Sequence, residues 1–172
     1  PARLSADAGS RDAGKIPVPP VPGGGPLPVA DRSGVILGSS RGAAASLESV
    51  HLRFRDRGPD GVGPPASPYT TAGNLSGAAA LHFGLRGPAL TVSAACSSAS
   101  QAIGVAVDLI RSGRADVMLA GGTEACLTPF CMAMFAATGI LSRRGDDPAG
   151  ACRPFDRDRD GIVVGEGAGM IV

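Results

Sequence analysis

Apolar and polar positions alternate in short runs punctuated by glycine and proline, and their spacing predicts strands and helices in turn. Ser33-Gly-Val-Ile-Leu-Gly38 is an apolar run closed by glycine and predicts a buried strand. The polar, arginine-containing stretch to residue 58 predicts a helix from about Ala43. Gly58 to Pro68 is broken by prolines and predicts loop. Thr70 to Phe83, rich in alanine and stopped by Gly84, predicts a helix. After the turn Gly84-Leu-Arg-Gly-Pro88, Ala89 to Ala95 predicts a second buried strand. Residues 97–112 place Ile103, Ala106, Val107 and Ile110 on one helical face, with Gly113 at the expected stop. Ala115 to Gly121 predicts a third strand. Thr128 to Thr138 predicts a helix with Thr128 as N-cap and Pro129 in the first turn. Asp146 to Asp160 predicts a charged loop, and Gly161 to Val172 a return to strand. Strand, helix, strand in this order predicts right-handed parallel crossovers and an α/β fold.

Residues 1–30 read differently, with Ile16-Pro-Val-Pro-Pro-Val-Pro-Gly-Gly-Gly25 at their centre. Such a stretch sustains neither helix nor inner strand and predicts a Pro/Gly-rich loop or irregular segment. The 172-residue chain is 44% hydrophobic with only 3% aromatics and 26 glycines. Small residues on that scale suit helices packed closely on a buried parallel sheet. The net charge of +1, with acids and bases interspersed, gives no footprint for nucleic acid. No apolar run reaches about 18 residues, so no membrane span is expected. Cys96, Cys126, Cys131 and Cys152 lack the close spacings of a zinc site, and a cytoplasmic protein with free thiols is the simplest account. The chain ends at Gly169-Met-Ile-Val172, inside an apolar run, which reads as a cut through a strand.

The candidate chemistry centres on Ser93-Ala-Ala-Cys96-Ser-Ser-Ala99, where a strand should turn sharply into a helix. A nucleophile on such an elbow is presented at a helix N-terminus. Unpaired N–H groups and the helix dipole favour negative charge there, hence the reactive thiolate. The same N–H groups can hold the oxyanion of a thioester under attack. Ala94, Ala95 and Ala99 leave room around the sulfur. This suits transfer of an acyl group from a carrier thiol to Cys96. A small buried apolar cysteine would fit the same position.

Gly84-Leu-Arg-Gly-Pro-Ala-Leu-Thr-Val-Ser-Ala-Ala-Cys-Ser-Ser-Ala99 resembles the active-cysteine segment of β-ketoacyl-acyl carrier protein synthases. Ala115-Asp-Val-Met-Leu-Ala-Gly-Gly-Thr-Glu-Ala125 is similar to the family's next core strand and turn. Arg153-Pro-Phe-Asp156 and Asp160-Gly-Ile-Val-Val-Gly-Glu-Gly-Ala-Gly169 resemble its signature loop and strand. Gly34-Val-Ile-Leu-Gly-Ser-Ser40 and Thr70-Thr-Ala-Gly-Asn74 also fit. The resemblance runs from about residue 31 and points to type II elongating synthases and polyketide ketosynthases. It implies a thiolase-like fold, two βαβαβαβ halves in an αβαβα layered sandwich, of which this is the N-terminal half only. Residues 31–172 would be the N-terminal part of the synthase domain, truncated at both ends, with five strands in a half sheet. The resemblance further implies an acyl carrier protein as partner and a homodimer, or a heterodimer with a ketosynthase-like subunit. The implied reaction is decarboxylative Claisen condensation of acyl-Cys96 with malonyl-carrier. No cofactor is implied beyond the phosphopantetheine arm of the carrier. The backbone N–H of Cys96 would be one oxyanion donor, with Arg41 and Thr70 as substrate-binding positions.

The sequence also departs from the family. Its Val/Ile-rich first strand has the Pro/Gly stretch in its place, and its two catalytic histidines and lysine match nothing up to Val172. His51 and His82 are expected to be ordinary helix side chains. At Arg41 the family usually carries a small or apolar residue beside the acyl pocket. A guanidinium there would shorten the pocket or suit a polar acyl chain, or else point to solvent or pair with Glu48. Glu124, Asp156 and Glu166 are expected to brace turns, and Cys126, Cys131 and Cys152 to pack as small apolar groups. Competing readings are a non-catalytic chain-length-factor-like partner, a thiolase-like or hydrolytic acyl-Cys enzyme, and an inactive truncated fragment that only binds and dimerises.

Overall fold

A computed structural model describes residues 30–172. The irregular segment expected over residues 1–30 therefore lies, but for Ala30, outside the described residues. The elements run β1 (Ser33–Gly38), α1 (Ala44–Arg57), α2 (Ala66–Thr70), α3 (Asn74–Phe83), β2 (Ala89–Val92), α4 (Ser98–Arg111), β3 (Val117–Glu124), α5 (Pro129–Ala137) and β4 (Gly167–Ile171). Among the described residues the sheet has four strands in the order β2-β1-β3-β4, where the family resemblance implied five. β1 pairs in parallel with both β2 and β3, as βαβ crossovers require. β4 runs antiparallel to β3, which departs from the all-parallel expectation.

β1 is buried along its whole length, so both of its faces are covered. Ile36 and its register partner Ala120 join Met118 in one apolar cluster with Ala102, Ala106, Leu109 and Ala115. That cluster is the core between the sheet and α4. Side chains alternate along a strand, so Val35 and Leu37 point to the other face, where α3 lies. There Ser76, buried on α3, accepts from the Leu37 N–H and donates to the Leu90 carbonyl. These two bonds link the second layer of helices to the sheet.

Several boundaries differ from the sequence expectation, each for a physical reason. Pro65 and Ala66 open the one-turn helix α2 inside the stretch expected to be loop. The helix expected over Thr70–Phe83 breaks at residues 71–73, and Thr71 is extended. Gly84 terminates α3 in the left-handed conformation, as expected of glycine at that position. β2 stops at Val92, because Ser93 to Ala95 are used in the turn to α4. β3 starts two residues later than expected and runs on to Glu124, and β4 starts only at Gly167.

The buried face of α4 is Ser98, Ala102, Ala106 and Leu109, rotated from the one the sequence pattern selected. Val107 and Ile110 are 37% and 42% exposed among the described residues. Small side chains win the sheet-facing side because the helix approaches the sheet closely. A Cβ on Gly38 would collide with the Ser98 carbonyl, and one on Gly122 would sit 2.5 Å from the Ala99 Cβ.

Candidate active site

Between the end of β2 and the first turn of α4 the chain makes a strained elbow. Ala95 has φ of 50°, the left-handed region that non-glycine residues rarely occupy, and Cys96 follows it directly. Two serines hold the elbow. Ser98 Oγ accepts from the Ala94 N–H at 2.8 Å and donates to the Ala95 carbonyl at 2.6 Å. Ser97 Oγ donates to the Ala94 carbonyl at 2.8 Å. Cys96 is exposed, two residues ahead of the first residue of α4. The helix dipole favours an anion at this end. The sequence pointed to a sharp turn here; the hydroxyl bonds that close it were not foreseen. The adjacent Ser-Ser pair was their signal, since short hydroxyl side chains bond nearby backbone groups.

Cys96 opens onto a cleft of about 580 Å³. Its walls come from the turn after β1 (Ser39, Ser40, Arg41), the end of β3, Phe135 of α5, and the loop before β4 with Ile162 and Val164. Gly38 and Gly122 floor it because their missing side chains let β1 and β3 approach the first turn of α4.

Glu124 organises the turn after β1. Its carboxylate accepts from Ser39 Oγ at 3.1 Å, from the Ser40 N–H at 2.8 Å and from the Arg41 N–H at 3.1 Å. Ser39 Oγ in turn accepts from the Gly42 N–H at 2.8 Å. The bracing expected of Glu124 is thus directed at the one turn that carries Arg41. Glu166 and Asp156 likewise accept from the Leu127 and Asp158 N–H groups, both at 2.7 Å.

Arg41 reaches into the cleft, and its guanidinium lies over the Phe135 ring, 5.0 Å from the centroid. It does not pair with Glu48, whose carboxylate instead accepts from the Phe130 N–H at 3.3 Å. Thr70 does not line the cleft, and its hydroxyl donates to the Ala66 carbonyl at 2.8 Å within α2. His51 and His82 lie on α1 and α3, and neither lines the cleft. Phe135 was missed at the sequence level, because it comes from a helix that shows no periodicity toward this site.

Cys126 is buried in the cleft wall beside Cys131, and burial, aided by the Glu124 carboxylate, pushes its thiol up, with Arg41 opposing. Cys126 is buried whereas Cys96 is exposed, so the two cysteines of the cleft differ in access to a substrate. Cys152 is exposed, contrary to the expectation that it packs inside.

The family model for the beta-ketoacyl synthase N-terminal domain matches residues 26–172. The chain belongs to the β-ketoacyl synthase family. It is 43% identical over 143 residues to 3-oxoacyl-[acyl-carrier-protein] synthase 2 of Synechocystis sp., covering 83% of this chain and 34% of the relative. A synthase of the same name from Vibrio cholerae is also 43% identical over 143 residues, with the same coverage. A β-ketoacyl synthase structure from Burkholderia phymatum superposes with a TM-score of 0.75 at 33% identity, covering 86% of this chain and 36% of that one. A type II polyketide ketosynthase, solved in complex with its acyl carrier protein and bound to a hexaketide, superposes with a TM-score of 0.74 at 32% identity. It covers 82% of this chain and 36% of that one. The chain thus spans about a third of the length of these β-ketoacyl synthases, and its mixed sheet with helices on both faces is the N-terminal part of the thiolase-like fold. No helix among the described residues is long and apolar enough to cross a membrane.

Proposed function

We propose that residues 31–172 form the N-terminal part of a β-ketoacyl synthase domain, an acyltransferase of the 3-oxoacyl-acyl carrier protein synthase type, with Cys96 as its acyl acceptor. The observation that carries this reading is an exposed cysteine on a strained elbow, at a helix N-terminus, opening onto a cleft that could hold an acyl chain. The Cys96 thiolate attacks the thioester carbonyl of an acyl group borne on the phosphopantetheine arm of an acyl carrier protein. A tetrahedral oxyanion forms against the N–H groups of the elbow, the carrier's C–S bond breaks, and the carrier thiol leaves with a proton. In the second half-reaction malonyl-carrier loses carbon dioxide. Its enolate carbon attacks the acyl-Cys96 carbonyl, and the thiolate is released. Neither histidine among the described residues lines the cleft, and the reading assigns the groups that stabilise that enolate to residues outside those described.

The reading extends to fatty acid or polyketide synthesis in the cytoplasm, without metal or further cofactor. It further takes the synthase to be a homodimer, or a heterodimer with a ketosynthase-like subunit. The test is to incubate the full-length protein with an acyl-carrier thioester and map the acylated peptide by mass spectrometry. Acylation at Cys96, abolished by Cys96→Ala, is expected. Preferential labelling of Cys126, Cys131 or Cys152 would overturn the assignment.

A further inference from the structure

Arg41 lines the cleft wall as an exposed cation, and no carboxylate among the described residues forms an ion pair with it. The ion pairs among the described residues involve Arg32, Arg55, Arg86 and Arg157. The nearest carboxylate along this turn, Glu124, is committed to Ser39 Oγ and to the backbone N–H groups of Ser40 and Arg41. It therefore fixes where the Arg41 backbone sits without binding the side chain. The guanidinium carbon lies over the Phe135 ring, 5.0 Å from its centroid. That contact offers no acceptor oxygen to the N–H donors. A guanidinium has five N–H donors, and the one protein partner near them is the weak acceptor Met134 Sδ, 4.0 Å from Nη1. The rest of the cleft lining, apart from Glu124, is serine and threonine hydroxyls, backbone and small or apolar side chains. A plain alkyl chain laid against this group would strip water from its N–H donors and return no hydrogen bond, which is unfavourable. An acyl chain with an acceptor oxygen would restore that bond in charge-assisted form.

We infer that Arg41 selects for oxygenated acyl groups, those bearing a keto or carboxylate oxygen along the chain, over plain alkyl chains of equal length. The inference rests on the reading of Cys96 as acyl acceptor and names the substrate class of that site. Arg41 acts here as a binding residue with no part in bond making, and Glu124 and Phe135 as its positioning residues.

The test uses the full-length protein and pantetheine thioesters matched in carbon number: n-alkyl, keto-bearing and carboxylate-ended. The rate of Cys96 acylation is read by intact mass. A charge-assisted hydrogen bond to Arg41 should let at least one oxygenated thioester acylate Cys96 about tenfold faster than its alkyl match, a difference of about 1.4 kcal/mol. Arg41→Met should remove that preference or reverse it. Arg41→Lys, which keeps the charge but loses the planar fork, should retain part of it. Equal rates for all three thioesters in the wild type, or a preference that survives Arg41→Met, would overturn the inference while leaving Cys96 as acyl acceptor. Failure of Cys96 to acylate with any thioester would remove both.

Discussion

Glu124 shows how one side chain can set a site that it does not enter as a reactant. Its three donors all belong to the turn after β1, which brings Ser39, Ser40 and Arg41 to the cleft rim. Glu124→Gln keeps the shape but replaces one acceptor oxygen by an amide nitrogen, which then faces an N–H or O–H donor. Loss of charge-assisted bonds at this half-buried site should lower stability by about 1–3 kcal/mol. Thermal unfolding checks this magnitude. The cleft effect is separable: Cys96 acylation should slow more in Glu124→Gln than in an equally destabilised core variant such as Ile36→Val. Equal slowing in the two variants would assign Glu124 to general stability alone.

At the scale of elements, the site depends on how β1, β3 and α4 are locked together at their ends. At the far end of the parallel pair from Cys96, Arg32 meets Asp116 through two bonds, 2.6 and 2.7 Å, and also donates to the Gly113 carbonyl. The Asp116 N–H donates back to the Arg32 carbonyl, so the residue before β1 is tied to the turn that leads into β3. The Arg32 guanidinium holds the Asp116 carboxyl below the usual carboxylate range. A lowered folded-state value means that the unfolded chain binds the proton more readily. The stabilisation is therefore fully present above the ordinary carboxylate value of about 3.9 and is lost as pH falls through the lower folded-state value. The melting temperature of Asp116→Asn should lie below that of the wild type near neutral pH, with the gap closing in acid. Because both side chains are about half exposed, the gap should also shrink in high salt. A gap independent of pH would assign the effect to the lost hydrogen-bond geometry and not to charge.

For the whole molecule, the described residues leave large apolar side chains uncovered. Leu81 is 87% exposed and Phe155 98%, while Val107 and Ile110 are partly exposed on α4 and β4 is exposed throughout. Such surfaces normally meet another part of a protein or a second chain. The cleft is lined by Cys96, the proposed acyl acceptor, and by Arg41, but by no histidine among the described residues. The 172-residue chain purified alone should bind a dye specific for exposed apolar surface and should form no β-ketoacyl product from malonyl-carrier. Removal of positioned catalytic groups typically costs factors of about 10² to 10⁴ each. Turnover comparable with a complete synthase, measured by product mass, would show that the catalytic set is complete within these residues.

The amino-acid order alone determined the features that depend on neighbours in the chain. Glycine stops at Gly84 and Gly113, the Thr128 cap, which accepts from the Cys131 N–H, and the placement of Cys96 between a strand and a helix all follow from local conformational preference. The small-residue blocks around Cys96 and Gly121-Gly122 were likewise enough to resemble one family. What lies across the fold was not legible. Periodicity marked α4 as amphipathic but chose the side with the larger residues, whereas close approach to Gly38 and Gly122 selects alanines. Thr70 and Arg41 looked equally placed for substrate in the sequence. The fold commits Thr70 to an α2 carbonyl and turns Arg41 onto Phe135. Arg41 lies more than eighty residues along the chain from both Glu124 and Phe135. Only parallel pairing of β1 with β3 brings them to one rim, because long-range contacts are set by sheet order and packing, which no local pattern encodes.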